Sequence, residues 1–148
     1  MRVVADTNTV VSAFLWGGPP ARVLASARAE RIALFSSAAL IAELEDVLGR
    51  EKFTARIARA GSSVPELLAG YRTLTTLVRP ATLAAPVITR DPDDDHVLAC
   101  ALGAAAELIV TRDRDLLDLG TFQHIRIVPA HEALALITPS DPEQSSTS

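Results

Sequence analysis

The sequence predicts a three-layer α/β/α domain on a largely parallel central sheet, and three observations carry that reading. Short apolar runs at 2–5, 32–35, 108–110 and 125–128 have the length and composition of strands buried on both faces. The stretches between them place apolar residues at helical spacing, and strands alternating with helices are what a parallel sheet with crossover helices requires. At 148 residues, of which 49% are hydrophobic and 22% charged, the chain can bury one real core and is too short for two comfortable domains. One domain over 1–137 follows, with a tail at 138–148 that is polar, small and without apolar periodicity, and is therefore expected to be disordered.

The first strand, Arg2-Val3-Val4-Ala5, runs into Asp6-Thr7-Asn8, three residues that favour turns and helix caps. Val10, Val11, Phe14 and Leu15 then follow a helical stripe. Trp16-Gly17-Gly18-Pro19-Pro20 ends that helix and opens the next, since glycine stops helices and proline starts them. A helix at about 21–30 presents Val23, Leu24 and Ala27 on one face, and the strand at 32–35 follows. Ser36 or Ser37 can cap a third helix, whose stripe is Leu40, Ile41, Leu44, Val47 and Leu48. Gly61-Ser62-Ser63 precedes a helix expected at about 65–77, and a further strand is expected near 86–89. Asp91-Pro92 disfavours helix before the proline, and Asp93, Asp94 and Asp95 supply the acids that suit a cap and first turn. Val97, Leu98, Ala101 and Leu102 make the packing face of that helix. The strand at 108–110 leads directly to Thr111-Arg112-Asp113, and Pro129 after the last strand opens a short helix reaching Ile137.

In open α/β sheets, functional sites lie beyond the carboxyl ends of the strands, where the following helices begin. Asp6 and Asp113 both follow strands, and the acids at 91–95 begin a helix, so they can meet at one edge. Two carboxylates about 4 Å apart repel by roughly 4 kcal/mol at an effective dielectric near 20, so converging acids need protonation or a cation. A divalent metal is the simplest remedy. Taken singly, Asp6 and Asp93 to Asp95 have an alternative role as helix caps and dipole partners. Glu43 and Glu45 flank the third helix's stripe on opposite sides, and geometry admits either, while Asp46 points away.

Cys100 is the only cysteine and sits on an apolar helix, so no intrachain disulfide is possible, and burial is the expected role. A reducing cytoplasm fits. Asp6 interrupts what would be a signal peptide's apolar region, and no uninterrupted apolar run approaches about 18 residues, which argues against secretion and against a membrane span. The net charge of −4 argues at first against a polyanionic partner.

Four segments resemble the PIN-domain family, especially the branch assigned to the toxin side of bacterial type II toxin–antitoxin pairs. VVADTNTVVSAFLWGG resembles the family's opening strand, acid and helix, and SSAALIAELEDVLGREKF its segment bearing the second acid; RDPDDDHVLACAL and IVTRDRDLL resemble the third and fourth. The likeness spans 2–137. By position, the family's acids fall on Asp6, Glu43, Asp94 and Asp113, with Leu98 and Ala101 fixing the register that selects Asp94 over Asp93 and Asp95. Family members often carry Asn or a small residue where Asp95 stands, and any contact of Asp91, Asp95 or Asp115 with metal stays open. Thr7, Asn8, Ser12 and Thr111 match supporting polar positions.

The resemblance implies a Mg²⁺- or Mn²⁺-dependent endoribonuclease, with those four acids both as metal ligands and as the catalytic set, an antitoxin protein as partner, and a homo-oligomer, a dimer first. Hard cations choose carboxylate oxygens, and Mg²⁺ retains waters, one of which can serve as nucleophile. Setting those four aside from the 18 acids leaves as many acids as the 14 Lys and Arg, so cations are free to form local patches. Arg50, Lys52, Arg56 and Arg59, with Arg112 and Arg114, are expected to guide RNA, against the plainer reading of a solvated charged face. Phe14, Leu15 and Trp16 are a candidate partner surface, against core packing. Three rivals stand beside this reading. A haloacid-dehalogenase-like phosphatase needs a second aspartate where Asn8 stands, and a lysine near the later acids, whereas Lys52 is the sole lysine. A metal-free ribonuclease would prefer paired histidines, yet His96, His124 and His131 fall in separate predicted elements. A catalytically inactive RNA- or protein-binding module on the same fold is the third.

Overall fold

A computed structural model of the chain describes residues 1–87 and 92–137. The tail at 138–148, the second half of the strand expected at 86–89, and Asp91 lie outside the described residues. The sheet has the order β3-β2-β1-β4-β6-β5, formed by β1 (Arg2–Ala5), β2 (Ala33–Ser36), β3 (Thr75–Leu77), β4 (Leu108–Val110), β5 (Thr121–Phe122) and β6 (Ile125–Val128). β1, β2, β3, β4 and β6 are mutually parallel, and only β5 runs antiparallel, against β6.

Strand residues alternate between two apolar layers, as the period of two demands. Val3, Ala5, Leu34, Leu108 and Val110 face one core, built with α1 (Thr7–Leu15), α2 (Gly18–Arg28), α3 (Ala38–Leu48), α4 (Glu51–Arg59), α5 (Val64–Leu74) and α8 (Ala130–Ile137). Val4, Phe35, Ile109 and Ile127 face the other, covered by α6 (Pro92–Gly103) and α7 (Arg114–Leu119). Helices on both faces of a mostly parallel sheet make the three-layer α/β/α architecture, with β1 at its centre. Cys100 is buried, and that burial pushes its thiol up to about 11, which leaves it a packing residue.

One local expectation is corrected, the described half of another is not met, and one strand is added. The helix expected at 65–77 stops at Leu74, and Thr75–Leu77 instead pairs as β3 on the edge beside β2. The apolar stripe runs on unbroken through Leu77, but the Thr75-Thr76 pair is β-branched and favours the pleated edge. Pro86 and Val87 are not in a strand. β5 is an addition, closed onto β6 by a two-residue turn at Gln123 and His124 with φ of +47° and +76°.

Close packing of α6 depends on Gly103. A Cβ there would stand 2.2 Å from the Arg79 carbonyl oxygen, so only glycine lets the segment after β3 cross the helix this closely. Ala81 N–H donates to the Ala99 carbonyl at 3.0 Å in the same crossing.

Candidate metal centre

From β1 the chain builds outward to β2 and β3, then crosses back to lay β4 on the other side of β1, so the strand order reverses between β1 and β4. At such a switch point the two connections leave in opposite directions and open a crevice at the strands' carboxyl ends. Asp6 follows β1 there and Thr111-Arg112-Asp113 follows β4. The ladder reaches the site itself, since Asp6 N–H donates to the Val110 carbonyl at 3.1 Å. α6 leads into β4 by a short turn, which returns its N-terminal turn, with Asp93, Asp94 and Asp95, to the same edge.

Asp6 is 4% exposed and is the N-cap of α1: one carboxylate oxygen accepts from Thr9 N–H at 2.9 Å, and the other accepts from the Thr111 hydroxyl. Thr111, wholly buried, in turn accepts from Asp113 N–H at 2.9 Å, so a single hydroxyl ties the acid of β1 to the acid of β4. Asp113 caps α7, accepting from Asp115 N–H at 2.8 Å and Leu116 N–H at 3.2 Å. Each ionised carboxylate offers about four lone-pair directions, so these bonds leave acceptor capacity for a cation. Burial drives the Asp6 carboxyl above the usual carboxylate range, and the charge of Asp113 adds to the rise; the hydrogen bonds from Thr111 and Thr9 oppose it.

Glu43 lies half-buried on α3, held by the Thr7 hydroxyl at 2.6 Å, whereas Glu45 is exposed. Its carboxyl is also raised, first by burial, then by the charge and hydrogen bond of Asp93, and finally by Asp6, with the Thr7 bond opposing. Asp93 is thus Glu43's neighbour although it is itself exposed. Asp95 accepts from Val87 N–H at 3.0 Å, a bond that ties Val87 to the first turn of α6.

Asp94 is 6% exposed, and one ligand oxygen from each of Asp94, Asp113 and Asp115 lies within 4.8 Å of the others. Among the described residues this is the one trio of potential ligands so closely gathered. Asp6 and Glu43 lie outside the trio: Asp6 is joined to it through the charge of Asp113 and through Thr111, and Glu43 is linked to Asp6 and Asp93. Asp115, left open by the sequence, is the addition; its signal was the second acid of the Asp113-Arg114-Asp115 cap, two residues past a residue already singled out. A trio of carboxylates without nitrogen or sulfur donors suits a hard divalent cation of the Mg²⁺ or Mn²⁺ kind.

Beside the acids, a hollow of 520 Å³ is lined by Asn8, Val11, Ser12, Trp16, Lys52, Phe53, Arg112, Asp113 and Arg114. Arg112 donates to the Ser12 hydroxyl at 2.7 Å. Of the expected partner surface, Leu15 is buried and Phe14 packs edge-on against Tyr71 at 6.0 Å, which leaves only Trp16 exposed. The three histidines are exposed and sit on separate elements, an arrangement that offers no acid/base pair.

No helix among the described residues is long and apolar enough to cross a membrane. No curated protein and no solved structure matches the chain. A family model described as PIN domain matches residues 2–115, which include all of Asp6, Glu43, Asp94, Asp113 and Asp115. PIN domains are usually metal-dependent nucleases, so the family implies a nucleic-acid substrate. With the match covering most of its length, and with the switch-point acids in place, the chain belongs to the PIN-domain family.

Proposed function

We propose that the protein is an endoribonuclease that hydrolyses RNA phosphodiester bonds using Mg²⁺ or Mn²⁺, and that it is the toxin of a toxin–antitoxin pair. The observation that carries the metal-dependent reading is the convergence of Asp94, Asp113 and Asp115 within 4.8 Å at the reversal of strand order. In this reading Asp6, Glu43, Asp94 and Asp113 are the metal-binding and catalytic set, and Asp115 joins them. Bound there, the cation would supply Lewis acidity, orient a water against the scissile phosphate, and offset charge on the leaving oxygen.

The chain's own groups do the remaining work. Thr111 ties the Asp6 carboxylate to the Asp113 backbone N–H, and Thr7 holds the Glu43 carboxylate. Arg112, Arg114 and Lys52, on the wall of the adjoining hollow, offset the repulsion between an acidic site and a polyanion, and Arg can engage phosphate oxygens with its fork. Hydrolysis then places the water's oxygen on phosphorus, breaks the bond to the 3′ oxygen, and leaves a 5′-phosphate and a 3′-hydroxyl.

The toxin role, an antitoxin partner, a dimeric state and a cytoplasmic location belong to the same proposal, supported by the likeness of the four motif segments to the toxin branch and by the single buried thiol. The test is cleavage of single-stranded RNA with added Mg²⁺ or Mn²⁺, with EDTA, and by Asp6→Asn, alongside metal content by mass spectrometry. Cleavage that needs metal and is lost in the variant supports the reading; indifference to EDTA removes it.

A further inference from the structure

Among the described residues, Trp16 is the most exposed of the large apolar side chains, at 55%, and it is held rather than left to swing. It closes α1 just before Gly17 and Gly18, whose φ of +75° and +70° turn the chain sharply away. The Arg56 guanidinium lies 5.0 Å from its ring centroid, anchored by an Nε–H bond to the Leu15 carbonyl at 2.8 Å. Phe53 meets the ring edge-on at 5.9 Å and 74°. Arg56 is therefore a brace for Trp16, beside the RNA-guiding role expected of it.

This braced ring shares one hollow with Lys52, Arg112, Arg114 and the Asp113 of the acid site. An apolar protein knob would cover the ring but leave the cations unmatched. A nucleotide matches both in one repeating unit, because its base has a flat π-face and its phosphate carries the opposite charge. We propose that Trp16 is a stacking platform for an unpaired base of single-stranded RNA, with Lys52, Arg112 and Arg114 holding the backbone that leads into the acids. This rests on the nuclease reading above and narrows its substrate class. In a duplex the bases are already stacked on one another, so the platform selects single strands.

Trp16 is the chain's only tryptophan, and its fluorescence reports the contact directly. The experiment titrates the Asp94→Asn protein with short oligoadenylate, oligouridylate, an RNA duplex, and an abasic ribose-phosphate strand of equal length, and repeats the binding by anisotropy with Trp16→Ala and Trp16→Phe. Stacking predicts quenching by the single strands and little by the duplex or the abasic strand. Trp16→Ala should bind single strands about tenfold more weakly, with an unchanged salt slope, while Trp16→Phe regains most of the loss. Equal quenching by the abasic strand, or unchanged affinity in Trp16→Ala, overturns the platform. So does a Trp16→Ala protein that binds RNA normally and loses a neighbouring-gene protein partner, which assigns the ring to that partner. Parallel cleavage by the wild type with Mn²⁺ separates the two readings. Turnover with a KM indifferent to Trp16→Ala sinks the platform alone, and a wild type that neither binds nor cleaves RNA sinks both.

Discussion

Replacing Asp94 by Asn should stabilise the metal-free protein and abolish its response to divalent metal. Asp94 is 6% exposed and its ligand oxygen lies within 4.8 Å of those of Asp113 and Asp115. At an effective dielectric near 20 a pair of unit charges at that separation repels by about 3.5 kcal/mol. Neutralising Asp94 removes two such pairs, but water screens the half-exposed Asp113 and Asp115, which cuts the relief severalfold. Losing an acid from the first turn of α6 gives back about 0.3–1 kcal/mol. A net gain of about 2 kcal/mol remains, worth roughly 6 °C in Tm for a chain of this size. For the wild type, metal at a hundred times its Kd adds about 2.7 kcal/mol, a rise of roughly 8 °C. Differential scanning calorimetry of both proteins, after chelation and after adding Mg²⁺ or Mn²⁺, reads all four states. An Asp94→Asn protein that melts below the metal-free wild type, yet still gains stability from metal, would refute the reasoning.

Thr111→Val removes the hydroxyl shared by Asp6 and Asp113 from a wholly buried position, and should cost about 1–3 kcal/mol in urea unfolding together with most of the metal affinity. Gly103→Ala should destabilise by about 1–3 kcal/mol or more, because the new methyl meets backbone at Arg79 rather than a movable side chain; a neutral midpoint would contradict that crossing. Asp6 and Glu43 have folded carboxyl pKa values above their usual ones, so their contribution to metal-free stability is fully present below the unfolded values and is lost as pH rises through the folded ones. The denaturation midpoint should therefore fall with rising pH through that window less steeply in Asp6→Asn than in the wild type, and parallel slopes would remove Asp6 from the account. Arg112→Ala should weaken RNA binding by the cleavage-incompetent protein and flatten its salt dependence without altering metal affinity, and an unchanged salt slope would take Arg112 off the RNA path.

Much of the fold was legible because parallel strands buried on both faces are short continuous apolar runs, and the helices between them carry clean stripes such as Leu40, Ile41, Leu44, Val47 and Leu48. What escaped depends on tertiary context. β3 forms only because β2 offers an edge to Thr75 and Thr76, and the β5–β6 turn uses Gln123 and His124 at positive φ where Asn-Gly would have announced it. The site follows the same division. That Asp6 and Asp113 follow strands is local, and so is the register that singles out Asp94. Which carboxylates end within reach of one another is not: Asp115 joins Asp94 and Asp113, while Asp93 comes to rest against Glu43. Asp6 shows why a side chain can be a cap and a site residue together. Because it accepts from both Thr9 and Thr111, Asp6→Asn removes charge and also mismatches a donor, which makes Asp94→Asn the cleaner variant.

The proposed role of the acids gathered at the reversal of strand order is to hold a divalent cation used to cut RNA. It is tested most directly by following cleavage of an end-labelled single-stranded RNA as Mn²⁺ is titrated into chelated protein, with Mn²⁺ occupancy measured on the same samples by electron paramagnetic resonance. The account predicts a rate that tracks occupancy, products ending in 5′-phosphate and 3′-hydroxyl, and loss of both signals in Asp94→Asn. Cleavage at full rate before any Mn²⁺ is bound, or undiminished in Asp94→Asn, would contradict it.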